Sequence, residues 1–127
     1  MKLEKIEING LDDIYACETV QKEFRKAVDE PWKDTPPWQR YQKKLIQDLA
    51  ILDEYKENAI TFSQYERLFT EEKLFCIRHP ETPKNVRVIY TIVDGIVVLL
   101  YAFLEKNDGD YTRAIKVAKR RLKELDS

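Results

Sequence analysis

Two runs of β-branched and aromatic residues, Val86–Val93 and Ile96–Leu104, meet at Asp94-Gly95. Both residues of a two-residue hairpin loop of this kind take positive φ, and Asp-Gly tolerates that conformation, so the dipeptide predicts a tight hairpin. The turn fixes the register: Val93 opposite Ile96 predicts Arg87 opposite Ala102 and Ile89 opposite Leu100. Arg87, Ala102 and Lys106 then share one face, provided the second strand stays extended to Lys106. Arg78 joins them only if the preceding strand pairs with matching parity. Both strands are apolar on both faces, so the chain must supply a cover for each.

The rest of the chain offers those covers. Lys2–Ile8 reads as a short strand ended by Asn9-Gly10, with Asp12 or Asp13 as a helix cap. Ile14, Cys17, Val20, Phe24, Ala27 and Val28 fall at gaps of three and four, which predicts one helix over Ile14–Val28. Pro31, Pro36 and Pro37 break it, leaving a loop that holds Trp32. A second helix is predicted from Trp38 to Lys56, with Trp38, Tyr41, Leu45, Leu49 and Leu52 as its stripe. Residues 57–72 are less regular, with Tyr65, Leu68 and Phe69 as tacking points to the core. Leu74–His79 alternates like a strand, and Pro80 and Pro83 mark a loop. After the hairpin, Asp108 or Asp110 can cap a last helix striped by Tyr111, Ala114, Ile115, Ala118, Leu122 and Leu125. The expected order is β-α-α-β-β-β-α: an α+β plan with a small antiparallel sheet, an N-terminal helical hairpin and a C-terminal helix, in one domain over residues 1–127.

With 127 residues and 43% apolar side chains, the chain can bury a core without disulfides or metal. No apolar run approaches the ~18 residues of a membrane span. No export segment is evident at Met1–Glu7, and Cys17 and Cys76 form no CxxC, so a cytoplasmic chain with reduced thiols is expected. Residues 1–72 carry 11 basic and 16 acidic side chains, residues 73–127 carry 11 and 7. Such polarity can present a basic face to phosphate, or simply reflect solvated charges.

Several chemistries are excluded. One His and two distant Cys do not build a conventional structural zinc site. The three glycines are isolated, so there is neither a P-loop nor GxGxxG, and GxSxG is missing. What remains is a basic set near the sheet: Arg78, His79, Arg87 and Lys106, with Tyr111 close in sequence. Arg87 interrupts an apolar strand, and its guanidinium fork suits phosphate oxygens. The competing reading pairs it with a carboxylate such as Glu105. Lys106 is by default a solvated charge and His79 a hydrogen-bonded imidazole. Lys119-Arg120-Arg121 is by default the wet side of a helix.

Taken in order, Leu74-Phe75-Cys76-Ile77-Arg78, Val86-Arg87-Val88-Ile89-Tyr90, and Val97 through Phe103-Leu104-Glu105-Lys106 resemble the RelE/HigB toxin superfamily, closest to its HigB-like, phage-derived branch. Ala114–Lys123 is similar to that branch's final basic helix. The resemblance implies a RelE-like fold and the toxin of a type II toxin–antitoxin pair, a ribosome-dependent endoribonuclease that cuts mRNA in the A site. The implied chemistry needs no metal or cofactor: the RNA 2′-hydroxyl attacks the adjacent phosphate. It calls for a base, cations for developing charge, and an acid for the leaving oxygen. By resemblance Arg87 contacts the scissile phosphate, Lys106 is an acid or charge stabiliser, and Arg78 a second cation. Tyr111 lies near a base-stacking position, with Arg113, Lys119 and Arg120 as further RNA contacts. His79 is a candidate proton carrier. The implied partners are the ribosome, mRNA and a cognate antitoxin, commonly a helix-turn-helix protein. The branch carries glutamate where this chain has Cys76, and a thiol does not replace a carboxylate in an ion pair. Two alternatives accompany this expectation: a ParE-like, gyrase-binding toxin, and a phage-derived binding protein without catalysis.

Overall fold

The computed structural model describes residues 2–29, 38–68, 73–79 and 85–126, and it is α+β. A six-stranded mixed sheet is formed by β1 (Leu3–Lys5), β2 (Ile14–Cys17), β3 (Tyr65–Arg67), β4 (Phe75–Ile77), β5 (Val86–Val93) and β6 (Ile96–Leu104), in the order β1-β2-β6-β5-β4-β3. Helices α1 (Val20–Asp29) and α2 (Trp38–Tyr55) follow β2, a 3-10 turn occupies Lys56–Thr61, and α3 (Asp108–Asp126) follows β6. Trp32, Phe69, Pro80, Pro83 and the side chain of Trp38 lie outside the described residues.

The order therefore departs from β-α-α-β-β-β-α by two strands. Ile14–Cys17 is not the first turn of a helix but β2. It pairs antiparallel with β1 (Leu3↔Cys17) and parallel with β6 (Ile14↔Val97, Ala16↔Leu99). Ile14 and Cys17, three apart, share a helical face, but the segment is apolar at every position and equally suits a strand packed on both faces, and pairing with β6 decides between them. The helix begins only after Thr19, whose hydroxyl bonds Glu23 Oε2 at 2.9 Å. The sheet's other end gains β3, antiparallel to β4 through Glu66↔Cys76. Buried Tyr65 and Leu68 anchor it, as the sequence suggests.

The hairpin forms at Asp94-Gly95, with φ of 50° and 81°. Val93 faces Ile96 as expected. The register then slips: Tyr90 faces Leu99, but Ile89 faces Tyr101, so β6 carries a one-residue bulge at Leu100. Arg87 consequently faces Phe103 rather than Ala102. A one-residue slip exchanges the faces of everything beyond it. Phe103 and Glu105, not Ala102 and Lys106, therefore accompany Arg87.

Two layers cover the sheet. Phe24 of α1 and Tyr41 of α2 share a small hollow with Ile77, Val86 and Val88 on one face. On the other face Tyr111 of α3 meets Phe103 edge-on, with ring centroids 5.7 Å apart. Helix α3 is capped by Asn107 rather than Asp108 or Asp110. Asn107 Oδ1 accepts the Asp110 N–H at 3.3 Å, and Asp110 Oδ2 accepts the Asn107 and Lys106 N–H groups at 3.0 and 2.8 Å. Among the described residues no helix is long and apolar enough to cross a membrane.

Candidate functional site

On the α3 face, the strand pairing β3–β4–β5–β6 aligns Glu66, Cys76, Ile89 and Tyr101, with Arg87 and Phe103 beside them. Arg87 is 8% exposed. Its Nε donates to Glu105 Oε1 at 2.6 Å, and its guanidinium lies 5.4 Å from the centroid of the Tyr111 ring. The carboxylate reading of Arg87 thus describes what is observed. Arg87 Nη1 is buried without a hydrogen-bond partner. Arg78 Nε lies 2.8 Å from Glu66 Oε2. The Tyr111 hydroxyl donates to Glu66 Oε1 at 3.4 Å. Arg87 is therefore hydrogen-bonded to a carboxylate, whereas Arg78, with a side chain 38% exposed, forms an ion pair with Glu66 in which its Nε makes no hydrogen bond.

Cys76 takes no part in ion pairing. Burial pushes its thiol up to about 11. Burial, with Cys76 and Glu66 nearby, also raises Tyr111 well above an ordinary phenol. Neither group is poised to exchange a proton near neutrality.

His79 is held on the other layer. Its Nε2 lies 2.6 Å from Oδ2 of Asp48, a residue of α2 that is itself only 3% exposed. Gln64 Nε2 donates to Asp48 Oδ1 at 3.3 Å, and the Tyr65 hydroxyl to the Asp48 carbonyl at 2.6 Å. This is a buried polar network that ties α2 to β3 and β4, away from Arg87.

Lys106 lines a different place, an open cavity of about 360 Å³ between α1 and α3 along β6. Its walls include Lys26, Glu23, Asp110, Arg113 and the consecutive β6 residues Tyr101–Leu104. Of the expected set, the structure brings together Lys106 and Arg113. Arg78 and Arg87 stand together on the α3 face, His79 stands apart, and Lys119 and Arg120 are exposed on α3. Asp110 forms an ion pair with Arg113. The Lys106 N–H, outweighing a smaller opposing effect of burial and assisted by Asn107 and Arg113, holds the Asp110 carboxyl below its ordinary value.

Arg121 is a key residue that sequence reasoning assigned to the solvated side of α3. Its two terminal nitrogens grip Glu23 of α1 at 2.7 and 2.9 Å, and Nη1 also donates to the Leu100 carbonyl at 2.7 Å. The guanidinium sits 5.2 Å from the Tyr101 ring centroid. Arg121 thus satisfies the bulge carbonyl and locks α1 to α3 behind the cavity. Nothing in the basic run Lys119-Arg120-Arg121 marks it, because its partner exists only once β6 bulges.

A second cavity, about 400 Å³, is apolar and lies between β1, β2 and the helical pair, with Ile6, Val20, Phe24, Leu45 and Leu49 among its walls. Among the described residues no group of three or more His, Cys, Asp or Glu side chains is placed to hold a metal ion. No family model, curated protein or solved structure matches the chain.

Proposed function

We propose that this protein is a relative of the RelE/HigB-type toxins that acts by binding a partner and has lost the mRNA-cleaving centre. One observation supports this above the others: Arg87, the residue best suited to a scissile phosphate, is buried against Glu105. The neighbouring Arg78 is likewise paired, with Glu66. An arginine that must release a carboxylate before meeting phosphate gives up much of the preorganisation that transition-state stabilisation requires. Lys106 lines the 360 Å³ cavity instead. Cys76 supplies neither charge nor an accessible thiolate. The binding reading retains the expected cytoplasmic setting and an antitoxin-like protein partner.

A second reading, the ribosome-dependent endoribonuclease, has its own support: Lys26, Lys106 and Arg113 line one open cavity beside the Tyr101 ring. A reconstituted translation reaction with a defined mRNA separates the two. End mapping is combined with capture of 2′,3′-cyclic phosphate ends. Binding alone leaves the message intact at stoichiometric protein, with or without a block in translation. In-frame cuts that disappear in Lys106→Ala and Arg78→Ala would overturn the binding reading. A gyrase supercoiling assay run in parallel tests the ParE-like alternative.

A further inference from the structure

The apolar cavity of about 400 Å³ is enclosed by parts of the chain that are far apart in sequence. Its walls include Ile6, just after β1, and the paired residues Ala16 of β2 and Leu99 of β6. Val20 and Phe24 of α1 and Leu49 of α2 complete the enclosure. All six are buried members of the main core. The cavity is therefore a recess of the core and not a dip in the surface. Protein interiors pack densely, with few voids larger than a water molecule. A recess of this volume is space that the described residues leave unfilled. Its polar residues are Lys5, Glu7, Gln21 and Gln42, all of them exposed, so they stand at its mouth.

We propose that this cavity binds a small uncharged amphiphile, an apolar chain of about ten heavy atoms ending in an amide, ester or alcohol. Volume selects against larger occupants. The cavity lies within the range of roughly 300–1,000 Å³ that small-molecule sites occupy. A two-turn helix, about 10 Å wide and 11 Å long, fills roughly 800 Å³ and does not fit. At about 30 Å³ for a group the size of a water molecule, the cavity holds about a dozen such groups. The mouth selects the head. Lys5 and Glu7, two residues apart, place one cation and one anion at the same opening. A ligand head of either charge that is drawn to one of them meets the like charge of the other. The carboxamides of Gln21 on α1 and Gln42 on α2 each offer donors and an acceptor, which suits a neutral polar head. The site shares no residue with the Arg87 face and goes beyond the function proposed above: it holds whether the protein cuts mRNA or only binds a partner.

The test titrates three eight-carbon probes that differ only in the head, octanamide, octanoate and octylamine, into the full-length protein at pH 7 and follows the backbone amides by NMR. Octanamide should bind with a dissociation constant on the order of 100 μM, which is what about ten heavy atoms of ordinary efficiency give. It should shift the amides of residues 6–8, 20–24 and 45–49. Octanoate and octylamine should bind about tenfold more weakly or worse. From butanamide to dodecanamide, affinity should rise until the cavity is full and then level off. Ile46→Trp, a change at a half-buried wall position, should fill the cavity and weaken octanamide binding about tenfold or more. If that variant misfolds, the chain-length series on the unaltered protein carries the same information. Any of four results would overturn the proposal: no shift at millimolar octanamide, tighter binding of either charged probe, affinity that climbs steadily to dodecanamide, or shifts confined to residues 101–104. So would a folded Ile46→Trp that binds as the parent does. A dimer in sedimentation, with concentration-dependent shifts on the same cavity residues, would make a second copy the occupant and sink the proposal as well.

Discussion

The ion pair between Arg87 and Glu105 yields the most informative perturbation. Its side chains are 10% and 17% exposed, and the Nε–Oε1 distance is 2.6 Å. Glu105→Ala leaves a guanidinium among apolar neighbours, with Nη1 already lacking a partner. Removing one member of a buried pair costs about 3–5 kcal/mol. The residual exposure of both groups and the retained Tyr111 ring favour the low end, so about 3 kcal/mol is expected. At roughly 4 °C per kcal/mol for a domain of this size, the melting temperature falls by about 12 °C. The double variant Arg87→Met with Glu105→Leu removes charge and counter-charge together and returns to within about 1 kcal/mol of the parent. Urea titration followed by circular dichroism measures all of these, with Arg87→Met alone completing the cycle. A cost below about 1 kcal/mol for Glu105→Ala is what a solvent-exposed pair gives. That outcome would show Arg87 free to reach solvent and phosphate, and would remove the main support for a non-catalytic protein.

Other consequences follow from the same geometry. Burial raises the Asp53 carboxyl, but the Asp13 and Asp12 backbone N–H groups and Lys56 together outweigh it and leave Asp53 below its ordinary 3.8. A depressed carboxyl contributes stability above its unfolded value that is lost as pH falls through the folded one. Asp53→Asn should therefore flatten the acid limb of a stability–pH curve below about pH 4. Cys17 and Cys76 are 1% and 0% exposed and both thiols are raised by burial, so a thiol reagent at pH 8 should label neither until urea unfolds the chain. Arg121→Met strips the Leu100 carbonyl and Glu23 of their donor and should cost about 2–3 kcal/mol, with hydrogen exchange rising at both α1 and β6. His79→Ala should lower stability by about 1–3 kcal/mol through Asp48 and leave any effect on translation unchanged.

The elements that depend on local signals were legible in the sequence. Asp94-Gly95 announced the hairpin, the stripes of α2 and α3 announced their buried faces, and the two-sided apolar strands announced a layer on each face. What escaped was set by long-range pairing. Ile14–Cys17 is apolar at every position, so it suits a two-sided strand as well as a helical stripe, and only the flank of β6 draws it into the sheet. Tyr65–Arg67 is too short to carry a period of its own.

The bulge at Leu100 escaped for a different reason, and it governs the site. No glycine or proline marks it, since Leu99, Leu100 and Tyr101 suit a regular strand equally well. Had β6 run without it, Arg87 would face Ala102, with Lys106 on its side of the sheet, and two cations would flank one hollow. With the extra residue, Glu105 arrives beside Arg87 instead, and Lys106 goes to the cavity between α1 and α3. The displaced carbonyl in turn draws Arg121 inward, and Arg121 fixes α1 and α3 as two walls of that cavity. A single inserted position thus sets which charges meet, Arg87 with Glu105 on one side and Lys106 with the walls of the cavity on the other. The cations read from the sequence are all present, but their grouping depends on a register that residue types alone do not encode.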